Sequence, residues 1–300
     1  MGRPLRLSLL VSGLSRLFGG DLADVVGLAR AAEEAGFDQV VLPDHLAIGP
    51  RTDRYPYGAW PLPEDEPWLE PLTTLAAMAG GTSRIRLGTG ILIAPLRPAL
   101  LLAKTAATLD VLSGGRLDLG VGSGWQREEF AAAGVPFRGR TARMDDTLRA
   151  CRALWGESPA SFRSETVCFE AVRCLPRPVQ EGGPPVWIGG ALTEGNLSRL
   201  LEYGAGWMPL GLSDDALRAD AARAREAFAA AGREPSTLGV RASLPVVRDR
   251  DGRIDLDGSL AALPRLRALG ATAAAIPLAA FVRGATEVPA FLTRVARAER

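Results

Sequence analysis

Eight short β-rich runs alternate with helical patterns from one end of the chain to the other, and few folds accept that rhythm. The runs are LRLSLLV (5–11), QVVLP (39–43), IRLGTGILI (85–93), RLDLGVG (116–122), PVWIGG (185–190), GWMPL (206–210), LGVRASLPVV (238–247) and ATAAAIPL (271–278). Glycine or proline bounds them and helix-period sequence separates them, as in βα units that build a parallel sheet. Eight such units in 300 residues close most naturally into a (β/α)₈ TIM barrel, an α/β fold with residues 1–300 as one domain. A doubly wound open sheet is the alternative, and it normally has fewer strands in this length. Two insertions interrupt the rhythm. Residues 46–70, after the second strand, are rich in proline and aromatics; residues 156–184, after the fourth helix, include a hairpin pattern around Phe162–Phe169.

The helices carry their own punctuation. Asp21 is placed to cap a helix with the apolar stripe Leu22, Val25, Val26 and Ala29, and Gly36 to end it. Pro71 and Pro98 suit first-turn positions, and Thr193, Ser213 and Asp257 suit caps. A longer helix over about 141–155 puts Met144, Leu148, Cys151 and Trp155 on one side.

Composition narrows the chemistry. With 35 basic against 34 acidic residues, no electrostatic footprint for nucleic acid or an anionic membrane is expected. No uninterrupted apolar stretch approaches a bilayer span, and Arg3–Val11 resembles a signal peptide only superficially. Cys151, Cys168 and Cys174 form no CxxC pair and read as reduced thiols of a cytoplasmic protein. His45 is the only histidine and Lys104 the only lysine. One histidine rules out a multi-histidine metal centre, so no metal site is expected. Lys104 lies mid-helix, away from the strand ends where a Schiff-base lysine works.

Four segments could carry chemistry. His45 follows the second strand in VVLPDHL, on the face where barrels keep working residues; an imidazole there could hydrogen-bond a ring or move a proton. It could equally satisfy a loop backbone. GVGSGW (120–125) fails the dinucleotide fingerprint, because Trp125 takes the third glycine position, and it is no nucleophile elbow. It remains a turn of small residues that a ligand can approach closely. WIGGALTEGNL (187–197) ends a strand on Gly189 and Gly190 and starts a helix near Thr193, a ready anion site or simply a tight turn. Gly88 and Gly90 lie inside the third strand, marking a bulge or a close ligand approach. Tyr55, Tyr57, Trp60 and Trp68 of the first insertion could cover a flat ring or simply pack the loop.

Taken together, AEEAGFDQVVLPDH (32–45), EPLTTLAAMAGGTSRIRLGTGILIAP (70–95), LLLAKTAATLDVLSGGRLDLGVGSGWQREEF (100–130), GVPFRGRTARMDDTLRACRALW (134–155) and PPVWIGG (184–190) resemble the luciferase-like monooxygenase superfamily over nearly the whole chain. GWQREEFAAAGVPFRGR is most similar to the branch that uses the deazaflavin coenzyme F420. The resemblance implies a luciferase-like barrel, a homodimer, and a cofactor ring across the C-terminal face. It implies that His45 contacts the ring near its reactive carbon, and that a bulge at Gly90–Ile91, often a non-proline cis peptide, backs it. It also implies that Gly122, Ser123 and Gly124 lie beside the cofactor and that Gly189, Gly190 and Ala191 hold its phosphate.

Two positions depart from the deazaflavin-dependent sugar-phosphate dehydrogenases of that superfamily. Trp125 stands where they have a glutamate, and Gly49 where they have a tryptophan. Glu128 or Glu129 could substitute for the lost acid, although the short helix they begin is expected to leave both in solvent. Hydride transfer between F420 and a small organic substrate is the resulting expectation. His45 then orients or protonates, and Trp125 with the 46–70 loop shapes an apolar pocket. An FMN-dependent monooxygenase fed by a separate flavin reductase is the second reading, and a non-catalytic flavin-binding barrel the third.

Overall fold

The computed structural model of the chain describes residues 4–19 and 21–299; Arg3 of the first apolar run lies outside them. The barrel strands are β1 (Arg6–Leu10), β2 (Gln39–Leu42), β3 (Arg86–Thr89, resuming at Leu92–Ile93), β4 (Leu117–Gly122), β5 (Val186–Gly189), β6 (Gly204–Met208), β7 (Gly239–Ser243) and β8 (Ala273–Pro277). Every neighbouring pair is parallel, and β3 joins β4 through Leu87↔Leu117 and Leu92↔Val121, which closes the ring. The open-sheet alternative is thereby excluded.

Strand alternation sorts the residues. Leu7 and Leu9, Val40 and Leu42, and Leu117, Leu119 and Val121 belong to the continuous apolar core. Between them, Ser8, Gln39, Arg86, Asp118 and Arg241 carry polar groups into the barrel interior, where strands on opposite sides touch. Arg241 on β7 donates to Gln39 Oε1 on β2 at 2.7 Å, and Gln39 Nε2 donates to Asp118 on β4 at 2.7 Å. Arg86 holds both oxygens of that same carboxylate, at 2.7 and 2.8 Å. Below this layer the Trp187 indole packs where any side chain at Gly206 or Gly239 would stand.

Several local expectations need correction. The third run is broken after Thr89: Gly90 N still donates to Leu42 O at 2.8 Å, the Gly90–Ile91 peptide is cis, and pairing resumes at Leu92. The seventh run stops at Ser243 rather than 247, and the sixth strand is shifted to Gly204–Met208. Asp21 caps a short 3₁₀ turn, Leu22–Asp24, that precedes the helix Val25–Ala35, and Pro98 sits before the first helical residue Ala99. Asp255, not Asp257, caps Leu256–Leu260; Asp257 pairs with Arg294 instead. Thr193 and Ser213 do cap their helices, and Gly36 ends its helix at φ 94°. The long helix spans Arg140–Gly156 with Met144, Leu148, Cys151 and Trp155 buried, and the second insertion forms the hairpin Ala160–Arg163/Cys168–Val172. Among the described residues, no helix is long and apolar enough to cross a membrane.

Candidate active site

His45 leaves β2 three residues past its last ladder position, and two anchors fix its place. The preceding Asp44 is 3% exposed and accepts from Ile93 N at 2.8 Å and from both terminal nitrogens of Arg97 at 2.6 and 2.9 Å. That ties the end of β2 to the segment just beyond the cis peptide. The second anchor is the short helix Arg127–Ala132 after β4. Its Glu129 faces His45 Nδ1 at 3.0 Å and accepts from Leu46 N at 2.7 Å. Gln126 holds Gly49 from both sides, accepting from its N–H at 2.8 Å and donating to its carbonyl at 3.0 Å.

The expectation that Glu129 lies in solvent is therefore wrong: it is 1% exposed. The missed signal is spacing, since Gln126, Glu129 and Phe130 share one helical face and all are buried. Glu128 lies on another side, against Gly49. A Cβ at Gly49 would collide with the Glu128 Cβ, which accounts for a glycine at this position.

A carboxylate on Nδ1 selects the tautomer with its proton there, leaving Nε2 as the exchangeable nitrogen. Over this histidine the first insertion lays an aromatic cover. Ring centroids of Trp68, Trp60 and Trp125 lie 4.7, 5.8 and 6.1 Å from the imidazole, all edge-on. Tyr55 bridges Trp60 at 5.1 Å and Trp125 at 5.4 Å. Burial pushes the Tyr55 and Tyr57 phenols upward, so both stay neutral. The indole N–H groups of Trp60 and Trp68 are buried without a hydrogen-bond partner, and such donors are rare unless a ligand or water meets them.

The remaining expected residues gather at the same end of the barrel. The cis Gly90–Ile91 link rises at the mouth, and the Ile91 side chain occupies the space that Gly122 and Gly189 leave open. A Cβ at those glycines would come within 3.0 and 2.5 Å of it. Ser123 is half-buried between Gly122 and Gly124, whose carbonyl accepts from Arg140 Nε at 3.0 Å. Gly190 takes φ 103°, a turn open to glycine at little cost. Its open side faces the Tyr57 hydroxyl, 3.5 Å from where a Cβ would stand. Ala191 is exposed and its carbonyl accepts from Asn196 Nδ2. The first insertion thus spans from His45 to the Gly189–Ala191 turn.

Sequence reasoning missed two arginines. Arg140 lies over the Phe137 ring at 4.0 Å with Arg127 at 4.5 Å, and desolvation with Arg127's charge lowers its pKa. Arg241, 5% exposed, lines a recess at the barrel mouth with Leu10, Val41, Gly90, Ile91 and Met208. A charged residue in the middle of a β-rich run was the available signal for it.

The closed barrel thus carries a histidine–carboxylate pair at its mouth beneath an aromatic cover. Residues 8–253 match the model of the luciferase-like monooxygenase family, and the chain belongs to that family. An uncharacterised Mycobacterium tuberculosis protein is 38% identical over 184 residues, 60% of this chain and 65% of the relative, so the match spans just under two thirds of that relative. An F420-dependent hydroxymycolic acid dehydrogenase of the same organism is 33% identical over 226 residues, covering 73% of this chain and 58% of the relative. An FMNH2-dependent dimethylsulfone monooxygenase of Pseudomonas putida is 30% identical over 186 residues, covering 61% and 47%. Among solved structures, a monooxygenase from Streptomyces bottropensis superposes with a TM-score of 0.77 at 24% identity, over 98% of this chain and 97% of the other. An F420-dependent secondary alcohol dehydrogenase does so with a TM-score of 0.79 at 16% identity, over 99% and 100%. Relatives of this chain thus use either F420 or FMN.

Proposed function

We propose that the protein is an oxidoreductase that moves a hydride between coenzyme F420 and a small organic substrate. The observation that carries the reading is the His45–Glu129 pair facing an enclosed mouth backed by the Gly90–Ile91 link. Two features fit a flat heteroaromatic ring: the orphaned indole N–H groups beside His45, and the surface that Gly122 and Gly189 leave around Ile91. The greater coverage of the F420-dependent relative favours that cofactor. Gly122, Ser123, Gly124 and Trp125 would flank the ring. Gly189, Gly190 and Ala191 with the Thr193-capped helix, and the guanidinium of Arg140, suit an anionic tail.

The bound cofactor supplies the hydride chemistry; the chain supplies orientation and proton handling. His45, kept in one tautomer by Glu129, would take or return a proton at Nε2. Trp60, Trp68 and Trp125 exclude water from that exchange, which strengthens the polar contacts within. An FMN-dependent monooxygenase served by a separate reductase is the second reading, supported by the FMNH2-dependent relative. We further propose that the whole chain works as one domain in a cytoplasmic homodimer. The outer face of helix Ala99–Ser113 leaves Leu101 at 59% and Leu112 at 66% exposure, with Leu175 and Val179 also exposed, an apolar patch suited to a second copy.

Fluorescence titration of the apo-protein with F420 and with FMN tests the cofactor. Tight F420 binding with weak FMN binding supports the first reading, the reverse supports the second, and binding of neither removes both.

A further inference from the structure

Arg241 is a charge that the fold does not account for. Its guanidinium sits inside the barrel, where an unpaired ion is unfavourable, yet among the described residues no carboxylate touches it. Its partners are the Gln39 amide oxygen at 2.7 Å, the Thr89 carbonyl at 3.5 Å and the Met208 sulfur. Asp118, the nearest acid, reaches it only through Gln39 and is already held by Arg86. Arg6 adds repulsion from below, its guanidinium 5.6 Å from the Trp187 ring that Arg241 overlies at 5.5 Å. Arg6 is exposed and Arg86 is half-buried and paired with Asp118, so the fully buried cation of this layer is Arg241. A neutral glutamine could satisfy the same hydrogen-bond acceptors.

The position gives the charge a use. A Cβ at Gly90 would stand 3.2 Å from Arg241 Nη2, so the guanidinium lies directly beneath the Gly90–Ile91 link. The same side chain lines the recess that opens at the barrel mouth beside that link.

Resting on the proposed function, we infer that Arg241 is an electrostatic positioning residue: it favours the reduced cofactor as its anion, after the reduced ring has released a proton to solvent. Buried in low dielectric and within a few ångströms of the backing link, the cation acts on the ring far more strongly than a surface arginine would. It acts without contacting the reacting carbon.

The test measures Kd of F420 and of FMN in oxidised and reduced forms, anaerobically, for the wild type, R241K and R241Q, with thermal melts to confirm folding. The wild type and R241K should share one ratio of oxidised to reduced Kd within about threefold. In R241Q the ratio should fall tenfold or more, equivalent to about 30 mV for a two-electron couple. An unchanged ratio in folded R241Q overturns the inference while leaving the proposed function intact. Should R241Q fail to fold, the wild type still decides: the reduced cofactor should lose its proton at lower pH when bound than when free. A bound value at or above the free one also overturns the inference. A wild type that binds neither cofactor removes the proposed function and this inference together.

Discussion

Glu129 shows how a single side chain converts a loop histidine into a directed one. Removing its charge should leave the barrel standing and slow the chemistry. E129Q is expected to bind cofactor normally and to lose roughly 10- to 100-fold in kcat; full turnover in E129Q would sink the pairing role. H45A should bind cofactor within a few-fold of the wild type and lose about 100-fold or more in kcat, and a variant retaining full turnover would end His45's catalytic assignment. Gly49 makes a different argument, from space. Gly49→Ala drives a Cβ into that of Glu128, and such overpacking costs about 1–3 kcal/mol, readable as a lower Tm. His45 stood out in the sequence because it is unique and ends a strand. Glu129 did not, because its inward direction depends on Gln126 and Phe130 sharing its face, and on a loop 80 residues earlier in the chain folding back to meet it.

Among the elements, β3 is where local pattern and tertiary structure part. IRLGTGILI reads as one strand because Ile85, Thr89, Ile91 and Ile93 favour β structure. The break after Thr89 is imposed by the neighbourhood: Asp44 captures Ile93 N, and Ile91 seats against glycines from β4 and β5. Asp44→Asn should therefore cost about 1–3 kcal/mol, since it leaves Arg97 with Glu70 as its one charged partner, and denaturant melts would show it. A second element-level device joins Val25–Ala35 to β3. Glu33 accepts from the backbone N–H groups of Ser83, Arg84 and Ile85. Burial raises its pKa, but these donors outweigh that and bring it down to about 2. A depressed carboxylate stabilises the fold above its unfolded pKa and ceases to do so as pH falls towards the folded value. Stability should thus decline between roughly pH 4.5 and 2, and E33Q should flatten that part of a Tm-against-pH curve.

For the whole molecule, the eight-strand rhythm was enough to specify a closed barrel, and both insertions were visible as breaks in it. What the rhythm could not show was the polar interior, because Gln39, Asp118 and Arg241 meet only when β2, β4 and β7 curve round to face one another. Burial also sorts the thiols. Cys168 is exposed while Cys151 and Cys174 are buried, and desolvation pushes the Cys151 thiol far upward. A thiol reagent should label one cysteine per chain in the native protein and three after denaturation. The apolar patch on Ala99–Ser113 predicts that L101E/L112E sediments as a monomer if the wild type is a dimer held through this face.

The clamp that Gln126 and Glu129 close on Leu46 and Gly49 sets a rule for anyone redesigning this scaffold. The segment that begins at His45 and the turn after β4 are separate in sequence but behave as one exchangeable cassette. Grafting the 46–70 segment alone into a related barrel would carry the aromatic cover without the hinge pins that hold it, whereas moving it together with 126–129 should transfer the enclosure intact. Substrate preference in such barrels would then shift by paired replacement, with variation in one segment constrained by the other.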